Sequence, residues 1–432
     1  MPNKVDVPDS IEVLKDIGAH VMQFEALQNA FLYSLVNRIA RTIITSKAWN
    51  DPWAVFNQGY MEFGETVEEI FVNIAKPYTF DPSDAEETLY KREIPDVRAA
   101  FHTMNWQKYY PVTVSQDQLR QAFLSWDSIN DLTARIVESL YTGMKYDEFV
   151  TKKYMLARCL VNGELYTVET SKVTGDGANP KMVIAKYRQV TNDMLILSTQ
   201  YNMAHVYNST PVAEQVIIMP NEAESILGVD VLASAFQLNQ VDYIGGRIPV
   251  DSFELTADQE ERLKLLFGDK YEAFTAPEKL ALQQVNAVKV AKDWFMVFDN
   301  LQNVTQDYNG KGLYWNYFLH AWKTFSVSPF ANAVAFTSQV SEITGVTVSP
   351  ATANVAQGSQ LQLTATVAGT GLYEKTVTWS ITGATKTGTK IDRGSGMLTI
   401  AADEPTSTKV EVTATAVDGQ TGTATISVVA RS

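Results

Sequence analysis

The chain has 432 residues, 45% of them hydrophobic and 19% charged, and that length exceeds what one hydrophobic core serves, so two or three compact units are expected. A formal net charge of −14 opposes broad contact with DNA or RNA, which gains affinity by neutralising phosphates with clustered Lys and Arg. No apolar run reaches the roughly 18 residues of a membrane span, residues 1–6 carry no signal-peptide pattern, and the single cysteine, Cys159, reads as a buried small hydrophobe in a chain suited to a reducing cytoplasm.

Phe24, Leu27, Ala30, Phe31, Leu35 and Ile39 recur at steps of three and four within residues 10–46, which predicts an amphipathic helix. From Phe56 to Val114 the pattern turns β-rich, with arms at Val67 to Ile74 and Phe101 to Val114 on either side of the acidic stretch Asp81 to Glu87. This is either a long excursion that goes out and returns or an ordinary hairpin lying on its own core, and pattern alone leaves both open. Asp127 or Ser128 then caps a helix striped by Ile129, Leu132, Ile136, Leu140 and Met144, with periodicity resuming through Phe149, Leu156 and Leu160 to Asn162-Gly163. At about 1.5 Å per residue such a rod spans roughly 50 Å, with Gly143 as the place for a bend, and implies a plate-like or elongated subunit.

Residues 164–290 alternate short strands and helices, with loops at Gly175 to Pro180 and Gly245-Gly246; the acidic run Asp258 to Arg262 before Leu263, Leu265, Leu266 and Phe267 predicts a capped surface helix. Asp293 to Leu301, Gly312 to Tyr317 and Phe330 to Phe336 read as aromatic strands of a large hydrophobic sheet, with a Gly-bearing turn. From about Ile343 the alphabet changes. Leu361, Leu363, Ala365 and Val367 alternate with Gln362, Thr364 and Thr366, and the same period of two recurs at Val377, Trp379 and Ile381, at Val410, Val412, Ala414 and Ala416, and at Ala424, Ile426 and Val428. Asp418-Gly419 marks a tight turn between the last two strands. Several short strands with one Trp in the middle fit an immunoglobulin-like sandwich, held by packing alone because no cysteine pair brackets Trp379. Residues 342–432 carry six Lys and Arg against seven Asp and Glu, so −13 of the net charge belongs to the body.

No chemistry-bearing constellation emerges. His20, His102, His205 and His320 are scattered without metal-ligand spacing and read as satisfied or surface histidines. Gly310-Lys311-Gly312 lacks the spacing and hydroxyl of a phosphate loop; the stretch from Asp81 lacks the central glycine of a calcium loop; no Gly-x-Ser-x-Gly elbow occurs. The sequons at Asn208 and Asn303 are given no role. No catalytic, cofactor-binding or metal-binding residue is assigned, no cofactor is expected, and the chain is expected not to be an enzyme.

The run Asp293 to Leu301, Gly312 to Tyr317, Ser326-Val327-Ser328 and Phe330 to Phe336 resembles the major capsid proteins of small short-tailed phages of the phi29 type. The resemblance also touches Leu35 to Ile39, Gly64 to Ile70, Arg92 to Val97, Phe101-His102, Phe123 to Trp126 and Val231 to Phe236. Pro350, Gly358, Trp379, Gly394, Gly396 and the closing Thr-rich strands resemble the bacterial Ig-like group 2 (Big2) domains. The resemblance implies an α+β fold of the HK97 type over residues 1–341. Within it, the extended loop falls at about 56–114, the spine helix at about 127–163, the axial domain at about 164–290 and the peripheral-domain strands at about 291–338, with an all-β Big2 sandwich over 342–432. It also implies a major capsid protein that assembles with itself into pentamers and hexamers, an icosahedral shell around packaged double-stranded DNA bound without sequence specificity, and scaffolding protein and portal as partners. Assembly would take place in the bacterial host cytoplasm, without membrane contact, and the Ig-like domain would be displayed on the exterior to brace capsomers or touch the host. The tail alone suggests a competing reading, a bacterial surface adhesin; an intracellular enzyme with an Ig-like accessory is weaker, since no catalytic set is legible.

Overall fold

The computed structural model describes residues 49–61, 66–78, 95–115, 126–173, 180–232 and 246–431. The expected helix within 10–46, the acidic stretch Asp81 to Glu87 and most of the loop at Gly175 to Pro180 lie outside them. The chain forms two compact units: Gln107–Tyr146 and Leu301–Ala321 fall in one, and Asp51–Trp106, Asp147–Asn300 and Trp322–Ser432 in the other.

In the first unit, residues 301–309 of β9 (Phe295–Asn309) and 314–321 of β10 (Tyr314–Val327) lie with residues 107–115 of β4 (Trp106–Ser115) in strand order β9-β10-β4; in the second, β1 (Asn57–Tyr60) pairs in parallel with β9 at Val297, Phe298 and Asp299. The turn between β9 and β10 is set by Asn309, whose Oδ1 accepts the backbone N–H groups of Lys311 (3.0 Å) and Gly312 (2.9 Å). Gly310-Lys311-Gly312 is therefore a hairpin turn, as expected. Tyr308 meets Trp315 at 4.9 Å between ring centroids, and Tyr109 stacks on His320.

The long helix, α1, spans Trp126–Asn162, 37 residues, and contributes to both units. Its C-terminal end is a Schellman motif: Gly163 (φ 69°) donates its N–H to Leu160 O and Glu164 donates to Cys159 O.

The second unit is built on a five-stranded sheet of order β5-β11-β8-β6-β7, from β5 (Tyr166–Glu169), β6 (Gln215–Pro220), β7 (Gly246–Val250), β8 (Val285–Ala291) and β11 (Ala333–Thr337). Two helices, α2 (Pro180–Asp193) and α3 (Asn221–Leu232), supply Val183, Tyr187, Val190, Ala223 and Leu227 to the cluster that packs on Ile217, Ala287, Val334 and Phe336 of this sheet. Every residue of β8 is buried, as befits a strand covered on both faces. Sequence grouped Phe330 to Phe336 with the aromatic strands, but β11 pairs with β5 in parallel and β8 in antiparallel register. The expected surface helix is α4 (Ala257–Phe267). Thr256 Oγ1 accepts Gln259 N–H (3.3 Å), Gln259 Oε1 accepts Thr256 N–H (3.1 Å), and Leu263 and Leu266 face inward.

The second unit also contains a chain-terminal all-β segment. Its strands are β12 (Glu342–Ser349), β13 (Thr352–Ala356), β14 (Gln360–Gln362), β15 (Thr364–Thr370), β16 (Thr378–Thr382), β17 (Lys390–Ile391), β18 (Met397–Thr399), β19 (Lys409–Thr415) and β20 (Thr421–Val429). They form sheets of order β12-β15, β13-β20-β19-β16 and β14-β18-β17 around one core that contains Leu363, Val367, Trp379, Val412, Ala414, Ile426 and Val428. The period of two read from sequence is the inward face of these strands. Asp418-Gly419 makes the β19–β20 turn, with Gly419 at φ 90°. The expected single strand from Leu361 to Val367 is divided, because Leu363 turns its N–H to Gly396 O; β14 then pairs with β18 and β15 with β12.

Candidate assembly site

Within the β-rich stretch 56–114, β2 (Thr66–Val72) and β3 (Val97–Thr103) form an antiparallel hairpin with Glu69 opposite Ala100 and Ile70 opposite Ala99. Alternation divides its side chains into two faces of different chemistry. The inner face is tied to the rest of its unit. Glu69 accepts a hydrogen bond from Ser328 Oγ (2.7 Å) and lies 3.1 Å from His102 Nε2, while His102 Nδ1 meets Ser326 Oγ at 2.8 Å. Phe71 stacks on Phe330 at 5.5 Å, and Arg98 Nη1 donates to Ala204 O at 2.7 Å.

The outer face is the reverse. Ile70 (58% exposed), Val72 (62%), Val97 (51%) and Phe101 (65%) stand beside Ala99, with Val72 directly opposite Val97; the exposed Glu68, opposite Phe101, and the Thr66–Thr103 pair share this face and make its other end polar. A two-stranded ribbon with an apolar patch of this kind open to water is short of a covering surface, since an isolated hairpin is marginal by itself.

At the root of the hairpin lies a buried charge network. Lys152 of α1 donates to Asp51 Oδ2 (2.7 Å), Glu148 Oε1 (3.1 Å), Trp53 O (2.9 Å) and Asn57 Oδ1 (3.2 Å). Glu148 also meets Lys323 Nζ of β10 at 2.8 Å, and Lys323 in turn bonds Asp299 of β9. Burial works to raise the Glu148 pKa, but the Lys152 and Lys323 ammonium groups outweigh it and hold the carboxyl at about 2. Asp51 has only Lys152 of the two, and there burial wins and raises its pKa. Around these charges Trp53 meets Phe149 edge-on at 5.5 Å and Phe56 meets Phe295 at 4.4 Å. The network therefore joins the chain entering the hairpin to the long helix and the β9–β10 strands. Sequence reading missed it. Its one visible signal is Glu148-x-x-x-Lys152, a spacing that usually marks a solvated helix face.

The scattered histidines stay apart: His102 belongs to the inner hairpin face, His205 is buried with its Nδ1 3.2 Å from Thr199 O, and His320 sits under Tyr109; His20 lies outside the described residues. Cys159 is buried, and desolvation with the nearby Glu164 carboxylate pushes its thiol well above the usual range, which makes it inert. Among the described residues, no group of three or more His, Cys, Asp or Glu is placed to hold a metal ion, and no helix is long and apolar enough to cross a membrane.

Comparison with known proteins gives this anchored hairpin and its exposed apolar patch a context. The family model described as phi29-like phage major capsid protein matches residues 11–337. The chain belongs to that family. It is 34% identical over 407 residues to the major capsid protein of Bacillus phage B103, covering 93% of this chain and 84% of that one. It is 26% identical over 321 residues to the major capsid protein of Streptococcus phage Cp-1, covering 72% of this chain and 82% of the relative. A chain in the capsid structure of Staphylococcus phage Andhra superimposes with a TM-score of 0.54 at 15% identity, over 70% of this chain and 88% of its own. One in the structure of head fiber and inner core protein gp22 of native bacteriophage P68 gives 0.53 at 16% identity, over 70% and 88%. The mixed α+β fold thus has HK97-like capsid neighbours, and this capsid family is structural rather than an enzyme class. The family match stops at Thr337, a few residues before β12.

Proposed function

We propose that this chain is the major shell subunit of a tailed phage, and that the outer face of the β2–β3 hairpin docks on a neighbouring copy. The observation that carries the docking is the asymmetry of the hairpin: Glu69, Phe71, Arg98 and His102 bind it to its own chain, while Ile70, Val72, Val97 and Phe101 are left for another. A second copy is the occupant because a capsid family member assembles with copies of itself, and a shell repeats one contact many times. Overlapping arms let one sequence make slightly different contacts in pentamers and hexamers.

On this reading the extended loop is residues 56–114, the spine helix is α1, the body ends near 341 and residues 342–432 form a Big2 Ig-like domain on the shell exterior. The all-β core around Trp379 supports the last assignment. Scaffolding protein, portal and packaged double-stranded DNA are the partners, with assembly in the host cytoplasm, and carboxylates of the acidic body face the genome and repel its phosphates. Family membership over the body speaks against the surface-adhesin reading.

The test is electron microscopy of the purified protein carrying Ile70→Asp and Phe101→Asp, with scaffold supplied. Both side chains point away from the inner anchors, so the variant stays folded by circular dichroism and fails to form shells or capsomer rings. Normal shells from the variant would refute the docking.

A further inference from the structure

Two separated contacts of the all-β segment with the rest of its unit each engage an element of the assembly site. The first is the end of α1. The Schellman motif satisfies Leu160 and Cys159 O but leaves Val161 O, which accepts Lys375 Nζ at 3.0 Å; the Lys375 backbone N–H donates to Gly163 O at 2.7 Å. An ammonium on the last carbonyls also favours the negative end of the helix dipole. Packing here is tight: a β-carbon on Gly163 would sit 2.4 Å from Tyr373 O.

The second place is the hairpin. Arg98 of β3, while donating to Ala204 O, points its Nη2 at Asp392 Oδ2, 3.7 Å away. The Asp392 turn is fixed from within, since Oδ1 accepts Gly394 N–H (3.1 Å) and Ser395 N–H (2.7 Å). Gly394 allows the approach; a β-carbon there would lie 2.7 Å from Arg98 Nη1 and 2.9 Å from Ala204 O.

Both contact loops are tied to one core. Tyr373 packs on the core around Trp379, and Trp379 N–H donates to Arg393 O at 2.9 Å. We propose that the C-terminal β-segment is an intramolecular clamp, which holds the β2–β3 hairpin and the end of the long helix of its own chain in one fixed pose. The clamp is a property of the single subunit. It rests on the shell-subunit reading only for its purpose, which is to present the hairpin in a defined direction before a neighbour arrives and so to lower the ordering cost of docking.

The test is amide hydrogen exchange on the full-length, unassembled chain. Gly394→Val wedges the hairpin contact open without removing a charge, Asp392→Asn keeps the turn-forming oxygen and drops the charge, and Lys375→Met removes the ammonium contact with Val161 O at the helix end. The first two are expected to speed exchange across 66–72 and 97–103 by roughly threefold or more, the scale of a partly exposed ion pair. Lys375→Met speeds it at 159–164, and β19 and β20 keep wild-type rates throughout. Unchanged hairpin rates in Gly394→Val would overturn the clamp, and so would an equal rise in every segment, which would mean that the substitutions merely weaken the fold. Shell formation does not enter this readout, so failure of the clamp and failure of the docking proposal are told apart.

Discussion

Lys152 shows how much one side chain can decide. It is fully buried among two carboxylates, a backbone carbonyl and an amide oxygen, so Lys152→Met leaves Asp51 and Glu148 with less compensation in a site closed to water. Breaking one partner of a buried ion network costs about 3–5 kcal/mol, and a loss of that size is expected in urea denaturation of the variant. Two carboxyls contribute to the pH dependence with opposite signs. Glu148 is held at about 2, below its ordinary 4.5, so its contribution is fully present above pH 4.5 and is lost as pH falls through 2. Glu374, beside Lys375, is pushed up to about 7 by burial; its contribution is fully present below 4.5 and is lost as pH rises through 7. The two contributions should therefore fall on opposite sides of about pH 4.5, and Glu374→Gln should flatten the fall between 4.5 and 7 alone. A fall across that window unchanged in the variant would place its origin elsewhere.

The elements differ in how plainly they announce themselves. Gly163 ends α1 at a left-handed φ and admits Tyr373 O, so Gly163→Ala meets both backbone strain and a contact at 2.4 Å. A lowered melting temperature with faster exchange at the end of α1 is the expected outcome; wild-type behaviour would show that the loop at Tyr373 yields without cost. Sequence located α1 to within a residue or two because its stripe is periodic and its end is Asn-Gly, and it located β19 and β20 because each has one wet face and one dry face. Strand β8 escaped that logic. It is buried on both sides, so alternation is lost, and it carries Asn286 and Lys289 inside the sheet, where burial brings the lysine down to about 7. The buried network was hidden for a related reason: Asp51, Glu148, Asp299 and Lys323 come from four distant stretches, and charges are read as solvent-facing until the fold brings them together. The division of Leu361–Val367 at Leu363 left no mark either, because a strand that changes sheets keeps its alternation.

For the molecule as a whole, charge opposes what the hairpin promotes. A subunit of net charge −14 repels its copies, and that repulsion acts over a distance that salt shortens to about 8 Å at physiological strength. Shell yield in light scattering is therefore expected to rise as salt is raised from low ionic strength to about 0.15 M; a flat or falling yield would place the carboxylates away from the joined faces. Function was legible only through the aromatic run and the ordered family-like stretches, while the surface proposed to do the joining reads as a plain alternation of Ile, Val and Phe with polar residues. That alternation has an evolutionary corollary. On the docking proposal one strand position serves the subunit and the next a neighbour, so a one-residue slip of β3 against β2 would exchange them, turning His102 and Arg98 outward and Phe101 inward. Arms of this kind can lengthen or shorten in even steps while lineages diverge, but an odd step disables both holding and joining at once.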